Sequence, residues 1–304
     1  MKIVLLQGGR SLEREISLLS SDAIGKAIIA LGHELIRIDP QEYAEIEDFI
    51  ISIKKVKPDI VFIGLHGKYG EDGVLQAVLK ASNLKFTASD HLSSAIAFDK
   101  YLAASIAKIH DVPVPRQHIL DNIPSNMKPY IEYLNFPLFV KPNSEGSSIG
   151  ASIVHNYDEL IAAMEGAFSY DNHILLQQYI EGRELTVSIL GHQVLPVIEI
   201  KPRDGFYDYN NKYVKGKTEF ICPANLTPSE TKLVQMYAEK VFQTAGCSIY
   251  GRVDFMYDGN KFYFLEINTL PGMTELSLLP RAAHEKGIDF TALIEQIINY
   301  SLQK

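Results

Sequence analysis

Lys2-Ile-Val-Leu-Leu-Gln-Gly-Gly-Arg-Ser11 is an unbroken apolar run that passes into a Gly-Gly turn. Such a run bounded by turn residues reads as a buried strand. Beyond it, Ile16, Leu19, Ala23, Ala27 and Leu31 recur at the spacing of one helix face. The order then repeats: a strand at Glu34–Ile38, a helix over 42–54, a strand over 59–64, a helix over 73–81 and a strand over 84–87. Strands alternating with helices imply a parallel sheet covered by helices. In such sheets ligands sit beyond the carboxyl ends of the strands, here at 7–14 and 66–72.

The texture changes near Ala88, which is read as a lobe boundary. A long helical stretch from His91 ends at His110, because Val112-Pro-Val-Pro115 cannot continue a helix. Residues 89–175 read as a smaller α+β lobe. Residues 176–304 read as a strand-rich lobe closing in an amphipathic helix over 289–302. A chain of 304 residues exceeds what one core usually serves, so lobes with a cleft between them are expected.

Composition narrows the partners. With 46% hydrophobic and 22% charged residues the chain should fold rather than remain disordered. The net charge of −8 and the lack of a Lys/Arg block give nucleic acid or an anionic membrane nothing to attract, so small molecules are the expected partners. No stretch approaches the roughly 20 apolar residues of a membrane helix, and Met1–Leu6 lacks the features of a signal peptide. Cys222 and Cys247 form neither a metal spacing nor a disulfide framework. They read as small hydrophobes in a reducing, cytoplasmic compartment.

Three segments carry chemistry. Lys141-Pro-Asn-Ser-Glu-Gly-Ser-Ser-Ile-Gly150, after a strand over 136–140, leads a cation into a Gly/Ser-rich loop whose backbone N–H groups can approach phosphate. Alone it reads equally as a surface hairpin. Neither a Walker pattern nor G-x-G-x-x-G is present, which disfavours kinase-type P-loops and nicotinamide dehydrogenases. Further on, Tyr250-Gly-Arg-Val-Asp-Phe-Met-Tyr257 and Lys261-Phe-Tyr-Phe-Leu-Glu-Ile-Asn268 alternate as two strands joined at Asp258-Gly-Asn260. A three-residue turn sets Tyr257 opposite Lys261 and Arg252 opposite Glu266, and Asp254, Glu266 and Asn268 then share a face. A two-residue turn would break that parity unless a bulge restored it. Hard oxygen donors on one face suit Mg²⁺, and Arg252 beside them suits phosphoryl oxygen. The competing reading is an ordinary Arg252–Glu266 hairpin pair. A Pro-Gly turn at 271–272 places backbone donors beside this face. Finally, Gly205-Phe-Tyr-Asp-Tyr-Asn-Asn-Lys-Tyr-Val-Lys-Gly216 is too polar for core and suits a lid or an exposed loop.

Together GGRSLEREISL, LHGKYGEDG, KPNSEGSSIG, FYDYNNKYV, GRVDFM and LEINTLPGMTELSLLP resemble the D-alanine–D-alanine ligases of the ATP-grasp superfamily, in order and approximate spacing, from Leu5 to the last helix. The resemblance implies a Rossmann-like parallel-sheet lobe over 1–88, followed by a two-lobed ATP-grasp fold over 89–175 and 176–304. It implies ATP, two Mg²⁺ or Mn²⁺ ions, a homodimer, and formation of D-alanyl-D-alanine for peptidoglycan. By the same resemblance Glu13 would hold the first D-alanine's ammonium, joined to Ser147 and Tyr213, with His66 near its carboxylate. Lys100, Lys141, Ser148, Gln177, Gln178, Ile180, Glu184 and Lys212 would hold ATP. Asp254, Glu266 and Asn268 would take the metals. Arg252 and the Gly272 N–H would meet the reacting oxyanion, and Ser277 and Leu278 the second D-alanine. Gln177 stands where the family pattern has an acidic residue, Gln76-Ala77 replaces Gln-Gly, and the 258–260 turn is one residue short of that pattern. Tyr213, in place of Phe, resembles the dipeptide-forming members.

Overall fold

The computed structural model describes residues 1–203, 216–274 and 277–304. The opening run forms strand β1 (Lys2–Leu6), and α1 (Arg14–Ala30), β2 (Glu34–Ile38), α2 (Ile46–Val56), β3 (Ile60–Ile63) and α3 (Val74–Ala81) follow in the expected alternation. β1 lies between β2 and β3, parallel to both. A central parallel strand is covered on both faces, which is why Ile3 through Leu6 are all apolar and fully buried. The strand expected over 84–87 is instead a single parallel bridge, Val61 to Phe86.

The helix expected to run unbroken to His110 is two helices, α4 (His91–Phe98) and α5 (Lys100–Ile109). Asp99 divides them: its extended backbone ends the first, and its carboxylate accepts the Leu102 N–H at 2.9 Å to cap the second. The break sets Lys100 at the first position of α5, where its side chain is buried rather than carried along a surface helix.

β4 (Gln117–Leu120), α6 (Lys128–Leu134), β5 (Leu138–Pro142), β6 (Ser152–Val154), α7 (Tyr157–Phe168) and β7 (Ile174–Gln178) come next. Their strands pair antiparallel in the order β4-β7-β5-β6 over a core that includes Leu138, Val140, Leu160 and Met164. The rest comprises β8 (Arg183–Leu190), β9 (Gln193–Val194), β10 (Ile198–Pro202), β11 (Thr218–Ile221), α8 (Pro228–Thr244), β12 (Tyr250–Tyr257), β13 (Phe262–Asn268), α9 (Leu278–Glu285) and α10 (Phe290–Gln303). Among the described residues the sheet order is β11-β10-β8-β12-β13, with β9 on β8, all antiparallel. α8 opens with a capping box, in which Thr227 and Glu230 satisfy each other's backbone N–H.

The final helices return to the beginning of the chain. Leu279, Ala282, Leu293, Ile294 and Ile297 are fully buried in the same cluster as Ile3 to Leu6, Ile28 and Phe62, and α10 packs on α1.

Candidate active site

The turns after β1 and β3 meet the Gly/Ser loop after β5. Gly8 has φ +73°, and a Cβ there would lie 2.3 Å from Asp39 Oδ2, so only glycine fits. The same Asp39 fastens the loop. Its Oδ1 accepts the Gly9 N–H at 3.0 Å, and its Oδ2 lies 2.7 Å from the Arg14 guanidinium, which also donates to the Gly9 carbonyl at 2.8 Å. Burial works against the Asp39 charge, but Arg14 and the backbone N–H groups of Gln41 and Gly9 outweigh it and hold the carboxyl below its ordinary value.

This clamp delivers Glu13 at the N-cap of α1. Its side chain does not cap the helix. It reaches across to the Gly/Ser loop and accepts the Ser147 hydroxyl, 134 residues away in sequence. The carboxylate is sandwiched between two glycines: a Cβ on Gly67 would stand 2.7 Å from Glu13 Oε2, and one on Gly146 would stand 2.5 Å from it. Ser147 and Ser148 both hold left-handed backbones, φ +51° and +56°, and Gly150 follows at +69°. Non-glycine residues in that region cost on the order of 1–3 kcal/mol each and tend to persist at ligand sites. A second bridge joins the same parts: Lys68 pairs with the Glu145 carboxylate and donates to the Tyr170 carbonyl.

His66 is buried, with both ring nitrogens engaged. The Leu270 carbonyl can only accept, so Nδ1 carries a proton toward it at 2.9 Å. Nε2 meets Ser20 Oγ at 3.0 Å, and Ser20 Oγ accepts the Met273 N–H. His66 therefore ties α1 to the Pro-Gly turn that contains Gly272. Burial pushes the imidazole pKa down, but the Glu71 carboxylate, 3.7 Å away, and Glu13 behind it outweigh burial and hold it above the ordinary value. Gly272 lies against Ser277, since its Cβ would sit 2.9 Å from the Ser277 hydroxyl. Ser277 is the N-cap of α9 and leaves its hydroxyl to Thr274, and Leu278 buries its side chain at the first position of that helix. A helix N-terminus of this kind favours an anion.

The face formed by β12 and β13 departs from the expected register in a way that preserves it. Tyr257 pairs with Phe262, so the turn holds four residues, and that spacing alone would put Asp254 and Glu266 on opposite faces. A bulge restores the parity: Phe255 pairs with Phe264, but Asp254 pairs with Glu266, leaving Leu265 as the extra residue. Arg252 consequently faces Asn268, not Glu266. The expected Arg252–Glu266 opposition is replaced by a pairing within one strand, in which Arg252 Nε and Nη2 both donate to Asp254 at 2.9 Å. Asn268 Nδ2 donates to the same carboxylate at 2.9 Å, as does Thr186 Oγ1 at 2.5 Å from β8.

Asp254 and Glu266 line a cavity of about 410 Å³ between the two antiparallel sheets. Lys100, Lys141, Ser147 and Ser148 border it, as do Gln177, Gln178, Ile180 and Glu184. Lys100 Nζ bridges the two sides, donating to the Glu145 carbonyl and lying 3.4 Å from Glu266 Oε2. Lys141 Nζ lies 5.7 Å from the Phe139 ring centre. Glu13, His66, Gly272, Ser277 and Leu278 sit to one side, tied to this cavity through Ser147. Lys212 and Tyr213, with the expected lid over 205–216 except Gly216, lie outside the described residues.

The donor set fits a hard divalent cation. Asn268 commits its NH₂ to Asp254, which leaves its carbonyl oxygen to offer, and Asp254 and Glu266 supply carboxylate oxygens. Arg252 and Lys100 now provide the positive charge beside these carboxylates. Among the described residues no three His, Cys, Asp or Glu side chains are grouped to hold a metal, so the candidate set is two carboxylates and an amide. Sequence reasoning did not single out Thr186, Lys68, Asp39 or Gln117. Thr186 was within reach, since it stands two residues from Glu184 on a strand and shares its face.

No helix among the described residues is long and apolar enough to cross a membrane. The family described as D-ala D-ala ligase C-terminus matches residues 103–299. A D-alanine–D-alanine ligase from Thermotoga petrophila is 43% identical over 312 aligned residues, covering 100% of this chain and 98% of the relative. The crystal structure of the Bacillus anthracis D-alanine–D-alanine ligase superposes with a TM-score of 0.89 at 35% identity, covering 100% of this chain and 98% of that one. The same enzyme complexed with ATP gives 0.88 at 32% identity, with the same coverage. With the parallel-sheet lobe, the two antiparallel sheets and the cavity between them in place, these matches along the whole chain settle its kinship: it belongs to the D-alanine–D-alanine ligase family.

Proposed function

We propose that the chain joins two D-alanines into D-alanyl-D-alanine for peptidoglycan, consuming ATP through a D-alanyl phosphate. The observation that carries this reading is the meeting of the Asp254–Glu266–Asn268 face and the cationic Gly/Ser loop across one cavity, with Glu13 bonded to that loop beside it.

In this reading the cavity is the nucleotide site. Lys100, Lys141 and, from the proposed lid, Lys212 would neutralise the triphosphate, and Ser148 would hydrogen-bond to the nucleotide. Gln177, Gln178 and Ile180 flank the base, and Glu184 takes the ribose. Asp254, Glu266 and Asn268 would hold two Mg²⁺ or Mn²⁺ ions, which when bound offset the repulsion between a carboxylate and the γ-phosphate. Glu13 holds the first D-alanine's ammonium, with Ser147 and Tyr213 fixing Glu13, while His66 positions the turn near its carboxylate.

That carboxylate attacks the γ-phosphorus, ADP leaves, and the acyl phosphate lies against Arg252. The second D-alanine, its carboxylate received at Ser277 and Leu278, attacks through its amine. The developing oxyanion is met by Arg252 and the Gly272 N–H. Phosphate leaves and the nitrogen gives up a proton. The acyl phosphate hydrolyses readily, so the 205–216 segment would cover it.

We read the lobes as 1–88, 89–175 and 176–304, the assembly as a homodimer and the compartment as cytoplasmic. Sedimentation of the purified chain tests the dimer. Related substrates define the alternatives: a ligase for other amino acids, or one joining D-alanine to D-lactate. ADP release is measured with D-alanine alone, with L-alanine alone, and with D-alanine plus D-lactate. Turnover with D-alanine alone is expected, and its absence would overturn the assignment.

A further inference from the structure

Gln177 is 4% exposed, yet it borders the cavity. It stands directly opposite Gln117 across the β4–β7 pair, and its Nε2 donates to Gln117 Oε1 at 2.7 Å. Among the described residues no protein group meets its Oε1, and that oxygen is not among the fully buried, unsatisfied atoms, so it faces the cavity. A polar atom held this deep demands a partner from whatever fills the space.

A carboxylate in this place could only accept. It would bond the 6-amino group of adenine and oppose the 6-oxo group of hypoxanthine, oxygen against oxygen. A carboxamide can turn over, provided that the neighbour holding it can follow. Gln117 can, because it is itself a carboxamide. With both amides reversed, Gln117 Nε2 donates to Gln177 Oε1, and Gln177 presents its NH₂ to the cavity. The two arrangements contain the same number of hydrogen bonds.

We propose that the Gln117–Gln177 pair sets base selectivity and, given the nucleotide reading above, admits 6-oxopurine triphosphates alongside ATP. One arrangement reads an amino group and the other an oxo group. Strict rejection arises where a mismatched base leaves a buried polar group unpaired, and a pair that reverses removes that penalty.

The test compares ATP with ITP, which differs from ATP only at the pairing edge of the base, and ADP with IDP by thermal-shift titration of the full chain. Wild type is expected to give ITP a kcat/KM within about tenfold of ATP. Gln117→Glu offers only acceptors, holds the Gln177 NH₂ toward itself and should lower the ITP-to-ATP ratio at least about tenfold. Gln117→Lys offers only donors and should raise it by a similar factor. Gln177→Glu should act like Gln117→Glu, and it covers the case in which a position-117 variant fails to fold. Opposite movement of the two Gln117 variants supports the proposal. An unmoved ratio, movement in one direction for both, or no ITP use by wild type overturns it. Failure of the ligase reading looks different: no ADP would be released with D-alanine, while the ADP and IDP titrations would still report on the pair.

Discussion

Gly146→Ala probes the seat of Glu13 without touching Glu13. The φ of Gly146 lies outside the left-handed region, so alanine introduces no backbone strain, and the effect must come from the methyl group. That methyl would lie 2.5 Å from Glu13 Oε2 and 3.1 Å from both Cδ and Oε1. To regain an ordinary contact of 3.4 Å, the oxygen must retreat by about 0.9 Å. Retreat draws the carboxylate out of its place between the two glycines and away from the Ser147 hydroxyl. The moving atom is the end of a flexible side chain, so the stability cost should lie near the low end of the overpacking range, about 1 kcal/mol. Function should suffer more, since a misplacement of about 1 Å in a positioning group can cost about 10²-fold. The expected result is a fall of about 10²-fold in kcat/KM for D-alanine at saturating ATP, followed by ADP release, with Tm within a few degrees of wild type. Activity within about threefold of wild type would refute the claim that the two glycines position this carboxylate.

Three further outcomes follow from the same geometry. Glu266→Gln should lower kcat by more than about 10²-fold while leaving the thermal melt nearly unchanged, and near-normal turnover would remove this carboxylate from the metal set. Chelation with EDTA should stop ADP release, and either Mg²⁺ or Mn²⁺ should restore it; turnover that persists in EDTA would contradict the donor-set reading. Asp39→Asn should destabilise the chain by about 2 kcal/mol at neutral pH, a figure reduced because Arg14 is one-third exposed. The folded-state pKa of Asp39 is depressed, so its contribution is fully present above the ordinary value of 3.8 and fades as pH falls through the folded value. Urea melts of both proteins should therefore converge in acid, and a gap that stays constant with pH would refute the ion-pair account.

β1 and β3 were legible because burial on both faces leaves an unbroken apolar run, and the helices between them because burial on one face imposes a helical period. The break at Asp99 was not. Asp99 and Lys100 read as two polar residues within a helical stretch, and a single capping carboxylate leaves no mark on the periodicity. The oxygen donors on β12 and β13 could be listed from the sequence, but their register could not: a four-residue turn and a bulge at Leu265 each shift it by one in the same sense, so the shared face survives while the partner of Arg252 moves from Glu266 to Asn268. The partnership of Glu13 with Ser147 arises from how segments 134 residues apart meet, which local pattern does not encode, whereas that of Asp254 with Arg252 lies between alternate residues of one strand. The Gln117–Gln177 pair also required the strand order β4-β7, which joins segments 60 residues apart.

The return of α9 and α10 to the first cluster bears on how the chain is made. Ile3 to Leu6 emerge from the ribosome more than 270 residues before the side chains of Leu279, Leu293, Ile294 and Ile297 that complete their surroundings. β1 therefore stays incompletely covered until α9 and α10 have been made, whereas the cluster around Val140, Leu160 and Met164 closes once residue 176 has emerged. Order of synthesis and order of consolidation run in opposite senses here. A chain stopped before Phe290 should leave the apolar surface around β1 open to chaperones and proteases.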